Sequence, residues 1–226
     1  PAPASLSRRA PPEQVLTLEE LLPAQTWMAI VHALVQTMHH SDLEKVVLAR
    51  ACRVAGRRPF DPGAVLAQLR NNYPGCFGFA VARGEACFLG ASPERLVRLQ
   101  QGTVQATSLA GSIRRGSTPE EDRQLGAALL ASAKDRAEHA IVARALADAL
   151  SDLCTEMTMP ETPTLMKMSN VQHLYTPLAG QVAGTHTVLE LLERLHPTPA
   201  VGGAPRERAL PLIRECEQLD RGWYAA

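Results

Sequence analysis

Two stretches of apolar residues, each interrupted by a short polar turn, constrain the fold more than any other feature of the sequence. The first is CFGFAVARGEACFLG, with a turn at 83–85, and the second is RLVRLQQGTVQATSLAG, with a turn at 100–102. Apolar runs on both sides of a glycine-containing turn are typical of β-hairpins. Two hairpins in succession predict consecutive antiparallel strands joined by short turns, an antiparallel meander.

Helical patterns lie on both sides of this strand region. Apolar residues between Trp27 and Met38 recur at the spacing of one helix face, and 64–72 predicts a shorter helix. Thr118 is the expected N-cap of a third helix, with Glu121 as its capping-box partner. The Ala- and Leu-rich stretch that follows has no proline up to about Leu150, so one long helix is expected.

The last third of the chain predicts a strand at NVQHLYTPLAGQVAG and a helix at HTVLELLERL, ended by His196-Pro197. The segment PRERALPLIRECE is a doubtful helix because Pro211 lies inside it. The predicted order along the chain is strands, then helices, then strands again, without strict alternation between the two. This order predicts an α+β layered fold. Residues 1–23 predict a flexible lead-in, and the length and composition of residues 24–226 allow one large domain or two.

Composition excludes several classes of function. The 23 basic and 23 acidic residues balance, so the chain shows no charge excess for binding nucleic acid or an anionic membrane surface. No apolar run approaches the length of a membrane span. The five cysteines form no CxxC pair, which indicates reduced thiols and a cytoplasmic protein. Nothing in the sequence determines the oligomeric state, and a monomer is expected.

The stretch DLEKVVLAR, within a strand predicted over 43–54, places Lys45 at the start of an aliphatic run. A strand of this kind normally lies in a core. Burying an ammonium group costs free energy unless the group is paired or neutral. Lys45 is therefore a candidate functional amine whose partners must come from elsewhere in the chain.

Carboxylates and glycines in three other places are further candidates. Asp135 and Glu138 lie beside the apolar stripe of the predicted long helix; the glutamate can pair with Lys134 or Arg136, or the two carboxylates can hold Mg²⁺. Glu94 follows a strand in GASPERL and is either an exposed turn residue or a functional acid. The loops 109–112 and 200–203 offer backbone N–H groups that can cradle a carboxylate, although glycine pairs usually serve turns.

Seven motifs occur together in an order that resembles the chorismate-utilising enzymes, from about residue 25 to residue 226: EKVVLAR, GASPERLVRL, SLAGSIRRG, KDRAEHAIVARAL, NVQHLYTPLAG, LHPTPAVGG and ECEQLDRGWYAA. The resemblance implies a layered α/β/β/α chorismate-binding fold, with large, mainly antiparallel sheets packed face to face and helices outside. It also implies that residues 24–226 form one chorismate-binding domain that lacks its last strands. Within the family the chain looks most like an isochorismate synthase. Lys45 stands where anthranilate synthases typically carry glutamine, and HPTPAVGG differs from the matching segment of salicylate synthases.

The resemblance also implies roles for individual residues. Lys45 would be the base that activates water for attack on C2 of chorismate, and Glu94 the acid that protonates the departing C4 hydroxyl. Glu138 matches a ligand of Mg²⁺, and Asp135 matches an acidic residue that orients metal-bound water. Substrate-binding positions are implied for five further residues: Gly111, Ser112, His196, Gly203 and Tyr224.

One departure from the family pattern concerns the end of the sequence, RGWYAA. Relatives continue with a GDGEF-like and an IRS-like segment, which supply a second metal carboxylate and an arginine for the enolpyruvyl carboxylate. We therefore expect a fold that is incomplete at its C-terminus and residues 1–226 alone to have little activity. Two alternatives stay open: a salicylate synthase, and a chorismate-fold module that binds without catalysis.

Overall fold

The computed structural model describes residues 16–225, which form six helices and eleven strands. The helices are α1 (Ala24–His39), α2 (Pro62–Asn72), α3 (Pro119–Ala131), α4 (Ala133–Ser151), α5 (Val188–Leu195) and α6 (Arg206–Glu217). The strands are β1 (Thr17–Glu20), β2 (Lys45–Val46), β3 (Cys52–Ala55), β4 (Phe77–Arg83), β5 (Ala86–Ser92), β6 (Arg98–Gln100), β7 (Thr103–Arg114), β8 (Cys154–Thr158), β9 (Thr164–Lys167), β10 (Val171–Val182) and β11 (Gly203–Ala204).

The largest sheet is built around two long strands, β7 and β10, which pair antiparallel. Strand β6 extends it beyond β7, while β8 and β9 both pair with β10. The remaining strands of the described residues form three two-stranded ladders: β1 with β3, β2 with β11, and β4 with β5. All of these pairs are antiparallel, so the predicted α+β class with mainly antiparallel sheets is confirmed.

The core lies between this sheet and the helices α4 and α5. Strand β7 alternates buried and partly exposed residues, as expected when one face of a strand packs inward. Its buried face meets the apolar stripe of α4, and α5 closes the cluster. The cluster comprises Val104, Ala106, Ala110, Val142, Leu146, Leu150, Leu153, Leu178, Val182, Leu191 and Leu195. Helix α4 is thereby fixed on the sheet, and the residues of its first turns take fixed positions.

Both predicted hairpins are confirmed, with tight connections between β4 and β5 and between β6 and β7. The continuous meander is wrong, because the two hairpins belong to different sheets. The chain leaves the ladder at residues 93–97, where Pro93 has no N–H to donate. This irregular segment contains Glu94.

The single strand predicted over 43–54 is also wrong. Strand β2 ends at Val46 and pairs with β11, whereas β3 begins at Cys52 and pairs with β1. The two halves of the segment have different partners, and residues 47–51 connect them outside any ladder. A continuous apolar pattern cannot reveal such a change of partner, because it reports burial alone.

The predicted long helix is interrupted at Ser132, so α3 and α4 are separate. Ser132 adopts an extended conformation, and its hydroxyl accepts a hydrogen bond from the N–H of Asp135 (3.2 Å). Serine competes for backbone groups in this way and favours caps over helix interiors. At the start of α3, Thr118 is the N-cap as predicted, but the Glu121 carboxylate accepts from the N–H of Ser117 and not from Thr118.

The doubt about the last helix is wrong, since α6 runs through Pro211. Strand β1 lies inside the range predicted as a lead-in, where it pairs with β3 and keeps its residues exposed. Residues 1–15 lie outside the described part of the chain, and the division at 23/24 stays a prediction. None of the helices in the described range is long and apolar enough to cross a membrane.

A bulge in β7 brings the sheet close to α4. Ser112 pairs with His173 and Leu109 with Tyr175, so two residues of β7 lie opposite one residue of β10. Gly111 occupies the bulge with φ +78°, and a Cβ atom there would lie 3.2 Å from the Cβ of Asp135. Glycine is thus required both by the backbone conformation and by the approach of α4.

Replacing Gly111 with alanine is expected to lower the free energy of unfolding by about 1–3 kcal/mol, through left-handed strain and crowding against α4. Each kcal/mol corresponds to a fall of about 2–4 °C in Tm for a chain of this size. Thermal unfolding followed by circular dichroism measures the effect. Gly84→Ala is the control, because Gly84 also has positive φ but nothing lies within 4 Å of its added Cβ. Equal losses in both variants would show that α4 does not crowd the bulge.

Candidate active site

Lys45 is held in place by the short ladder between β2 and β11, in which it lies opposite Ala204. The neighbouring pair joins Val46 to Gly203, and a Cβ on Gly203 would come within 2.3 Å of the Lys45 carbonyl oxygen. Any side chain at position 203 would push the two segments apart. The glycine of HPTPAVGG therefore sets the position of the Lys45 backbone.

The Lys45 side chain is buried, and its amine has two described partners. It donates a hydrogen bond to the carbonyl oxygen of Pro199 (2.6 Å) and lies 3.3 Å from Oε1 of Glu138. Burial lowers the pKa of Lys45 below its ordinary value, although the carboxylates of Glu138 and Glu94 act in the opposite direction. The neutral amine is consequently easier to form here than in an exposed lysine.

Glu94 lies in the segment that leaves the β5 ladder. Burial raises the pKa of Glu94 to about 7, and the nearby charge of Lys45 opposes the rise. Near neutral pH its carboxyl group is thus protonated in a large share of molecules. The exposed-turn interpretation of Glu94 is wrong, because the side chain is partly buried and lies within electrostatic reach of Lys45.

Helix α4 contributes the other two carboxylates of the site. Glu138 pairs with Lys45, so the suggested pairing with Lys134 or Arg136 is wrong. Asp135 lies one turn earlier, where its carboxylate accepts a hydrogen bond from the Ser132 hydroxyl. Within residues 16–225 there is no cluster of three or more His, Cys, Asp or Glu side chains that could hold a metal ion.

His139, which the sequence analysis did not single out, fixes this part of α4 to the sheet. Its ring is buried, with Nδ1 3.1 Å from the carbonyl oxygen of Ala110 and Nε2 2.8 Å from the hydroxyl of Thr176. Burial lowers the pKa of His139, which favours the neutral ring. Since His139 adjoins Glu138 and bonds next to Gly111, it determines how the helix and the bulge meet.

Ser112 lies just beyond the bulge, and its hydroxyl is 2.7 Å from Nδ1 of His173 on the paired strand. Burial lowers the pKa of His173 as well. The sequence analysis missed this histidine, although it lies in the motif NVQHLYTPLAG. Pairing β7 with β10 in the correct register would have placed the two side chains together.

The remaining predicted substrate positions are less tightly connected to Lys45. His196 is partly buried at the end of α5, where its N–H donates to the Leu192 carbonyl oxygen, and it precedes the Pro199 loop by three residues. Tyr224 is 60% exposed, and its N–H bonds the carbonyl of Arg221. No described contact joins the Tyr224 side chain to the Lys45 amine.

A separate cavity of about 260 Å³ borders the same loop. Its lining includes Pro199, Gly203, Arg144 and Arg194. Neither Lys45 nor either nearby glutamate is among its lining residues, so this cavity is distinct from the cluster around the amine.

The candidate site therefore includes a buried amine and a carboxyl group of raised pKa, and α4 carries two further carboxylates. All four groups lie in motifs whose order resembles one family. The family described as chorismate binding enzyme matches residues 3–226. The chain belongs to this family. Among curated relatives, the salicylate biosynthesis isochorismate synthase of Pseudomonas aeruginosa is 47% identical over 201 residues, which are 88% of this chain and 42% of that protein. The isochorismate synthase MenF of Bacillus subtilis is 39% identical over 214 residues, 95% of this chain and 45% of its own length.

Solved structures of the family have the same fold. A 2,3-dihydroxybenzoate-specific isochorismate synthase, DhbC from Bacillus anthracis, superposes with a TM-score of 0.88 at 32% identity and covers 95% of this chain and 59% of its own. MenF of Escherichia coli, a menaquinone-specific isochorismate synthase, gives 0.87 at 29% identity, covering 97% of this chain and 52% of its own. The chorismate-binding fold is thus confirmed, and the chain spans about half the length of the relatives that it matches.

Glu94→Gln is expected to make stability less dependent on pH. Because the pKa of Glu94 is raised on folding, its stabilising contribution is complete below about pH 4.5 and is lost as pH rises through about 7. At pH 8 the native protein holds a buried carboxylate, whereas the amide has no charge to bury. The variant should be about 1–3 kcal/mol more stable than the original at pH 8, and the difference should shrink towards pH 5.

Denaturant unfolding at pH 5, 6, 7 and 8 measures this difference. Glu161→Gln, at an exposed glutamate, is the control and should show no comparable trend. A difference that stays constant across the pH range would contradict a raised pKa at Glu94.

Proposed function

We propose that this chain supplies the catalytic centre of an isochorismate synthase, which converts chorismate to isochorismate. The observation that carries the proposal is the buried Lys45 amine, placed 3.3 Å from Glu138 and within electrostatic reach of Glu94. A base and an acid whose pKa values are shifted towards each other are typical of sites that transfer protons at neutral pH. The names of the two curated relatives described above support the same reaction.

In the proposed reaction, neutral Lys45 removes a proton from a water molecule, and the water oxygen forms a bond to C2 of the ring. The ring double bonds shift, and the bond between C4 and its hydroxyl oxygen breaks. The protonated carboxyl of Glu94 donates its proton to that hydroxyl, which leaves as water. Atoms and charge balance, because one water is consumed and one is released. Lys45 ends protonated and Glu94 ionised, so both must exchange protons with solvent before the next cycle.

Magnesium is the proposed cofactor, and Glu138 and Asp135 are the residues that would hold it. Mg²⁺ commonly binds one or two protein carboxylates and keeps several waters or substrate oxygens as its other ligands. Two carboxylates one turn apart on α4, one of them partly exposed, fit this donor set. When bound, the ion would neutralise the ring carboxylate of the substrate and make the ring more electron-poor.

Lys45→Gln is expected to lower kcat by a factor of about 10²–10⁴, the usual contribution of a general base. Glutamine keeps much of the side-chain volume and can still donate to the Pro199 carbonyl, so chorismate binding should change little. Isochorismate formation, followed by chromatography at high protein concentration, measures turnover. Calorimetric titration with chorismate measures binding.

Three results would contradict the proposal, each in a different way. Undiminished turnover in Lys45→Gln would remove the base from the mechanism. Salicylate and pyruvate as products of the unsubstituted protein would identify a salicylate synthase. Chorismate binding without any product from the unsubstituted protein would identify a binding module.

Glu138→Gln is expected to raise the magnesium concentration needed for half-saturation by about tenfold or more, since a neutral amide is a weaker ligand than a carboxylate. Calorimetric titration with Mg²⁺ in the presence of chorismate gives the affinity without relying on turnover. Glu156→Gln, at an exposed glutamate of β8, is the matched control. An unchanged affinity in Glu138→Gln would exclude this residue as a ligand.

A further inference from the structure

We propose that the buried pair formed by Glu217 and Arg221 is a positioning device that holds the Lys45 amine in its working place. This inference rests on the proposed function, because it assigns the pair to the same base. Neither residue touches the amine. Instead, the pair bonds the two backbone segments that surround it, the segment after Lys45 and the loop that contains Pro199.

Arg221 joins these two segments through its guanidinium group. Nη2 donates to the carbonyl oxygen of Val47 (2.8 Å), two residues after Lys45, and Nη1 donates to the carbonyl oxygen of Val201 (2.9 Å), two residues after Pro199. Nε and Nη2 also bind the two carboxylate oxygens of Glu217, at 2.8 and 2.5 Å. One planar group therefore fixes the distance between the strand that carries the amine and the loop that carries its acceptor.

Glu217 also bonds the backbone segment that follows Lys45. Its Oε1 atom accepts a short hydrogen bond from the N–H of Ala49, and the carboxylate also receives both bonds from Arg221. The Glu217 side chain is 1% exposed and that of Arg221 is 9% exposed. Buried charges are retained when they are paired and hydrogen-bonded, and here each charge also satisfies backbone groups.

The short β2 ladder explains why these backbone groups need side-chain partners. Strand β2 comprises two residues, and beyond it the N–H of Val47 bonds Gly202 while its carbonyl oxygen is left to Arg221. The Pro199 loop is closed by the Thr198 carbonyl, which accepts from the N–H groups of Val201 and Gly202. The pair thus adds to the few inter-strand bonds that hold the Lys45 segment in register.

Catalysis should be sensitive to this arrangement, because a displacement of about 1 Å at a reacting group can cost about 100-fold in rate. Loss of the guanidinium would remove the donor that the carbonyl oxygens of Val47 and Val201 share, and would leave the Glu217 carboxylate with the Ala49 N–H. The Lys45 segment and the Pro199 loop would then separate more often, exposing the amine.

The lysine content of the chain allows a direct test, since Lys45, Lys134 and Lys167 are the only lysines in the sequence. Brief acetylation at one fixed pH, read by peptide mass spectrometry, reports how accessible each amine is. In the unsubstituted protein Lys45 should react more slowly than Lys134, which lies on an exposed part of α4. In Arg221→Gln the ratio of Lys45 to Lys134 acetylation should rise about fivefold or more, with the fold intact by circular dichroism.

Arg115→Gln is the matched control. Arg115 also makes two bonds to a carboxylate, that of Asp122, and one to a backbone carbonyl, that of Met168, but none of its partners contacts Lys45. Both variants should lose stability, whereas only Arg221→Gln should expose Lys45. An unchanged Lys45 ratio in folded Arg221→Gln, or an equal rise in Arg115→Gln, would overturn the inference. If Arg221→Gln does not fold, Glu217→Gln takes its place in the test. Because the glutamine keeps an acceptor for the N–H of Ala49, the ratio of Lys45 to Lys134 acetylation should rise by a smaller factor.

Steady-state kinetics separates positioning from a purely structural role. Arg221→Gln should lower kcat by about tenfold or more and leave KM for chorismate within about twofold, because the pair acts on the base and not on substrate contacts. Arg115→Gln should keep both constants. Full turnover in Lys45→Gln would refute the proposed function while leaving the acetylation result valid. Loss of turnover in Lys45→Gln together with unchanged kcat in Arg221→Gln would refute the positioning role alone.

Discussion

The arrangement of this domain depends on how a lysine amine is kept out of water. The Lys45 amine lies where burial opposes its charge, and two glutamates oppose that effect to a lesser degree. The balance makes the neutral amine easier to form than in an exposed lysine, while the Glu138 carboxylate and the Pro199 carbonyl oxygen keep the group paired. The same surroundings raise the pKa of Glu94 to about 7. Burial in one region thus favours the uncharged form of both side chains.

The hydrophobic core holds one side of this region in a fixed position. Helix α4 packs along β7 and β10, and His139 fastens it to both strands through the Ala110 carbonyl and the Thr176 hydroxyl. The position of Glu138 follows from that placement, since it is the residue before His139 on the helix. Lys45 approaches from a different part of the chain, on a ladder of two residues, and depends on side chains for its fixation. The two halves of the site are consequently supported in different ways.

The sequence was sufficient for features that depend on local chemistry. Apolar runs on both sides of glycine-containing turns predicted both hairpins, and Thr118 predicted the start of α3. The sequence failed where distant residues decide the outcome. The strand after Lys45 stops because its two ends meet different partners, and α6 continues through Pro211 in its tertiary context. The partner of Glu138 is 93 positions away along the chain, and the bonds from Arg221 to Val47 and Val201 join segments that no local pattern connects.

The interruption at Ser132 has an electrostatic consequence. Because a new helix begins there, Asp135 lies in its first turn, where the aligned peptide dipoles leave a partial positive charge, and Glu138 follows in the second turn. In one continuous helix beginning at Pro119, the same two carboxylates would lie more than four turns from that end and would repel each other without this charge nearby. The positive end of α4 instead lowers the cost of placing a carboxylate at position 135 next to that of Glu138. A single serine therefore converts the middle of a helical stretch into a place where negative charge can accumulate.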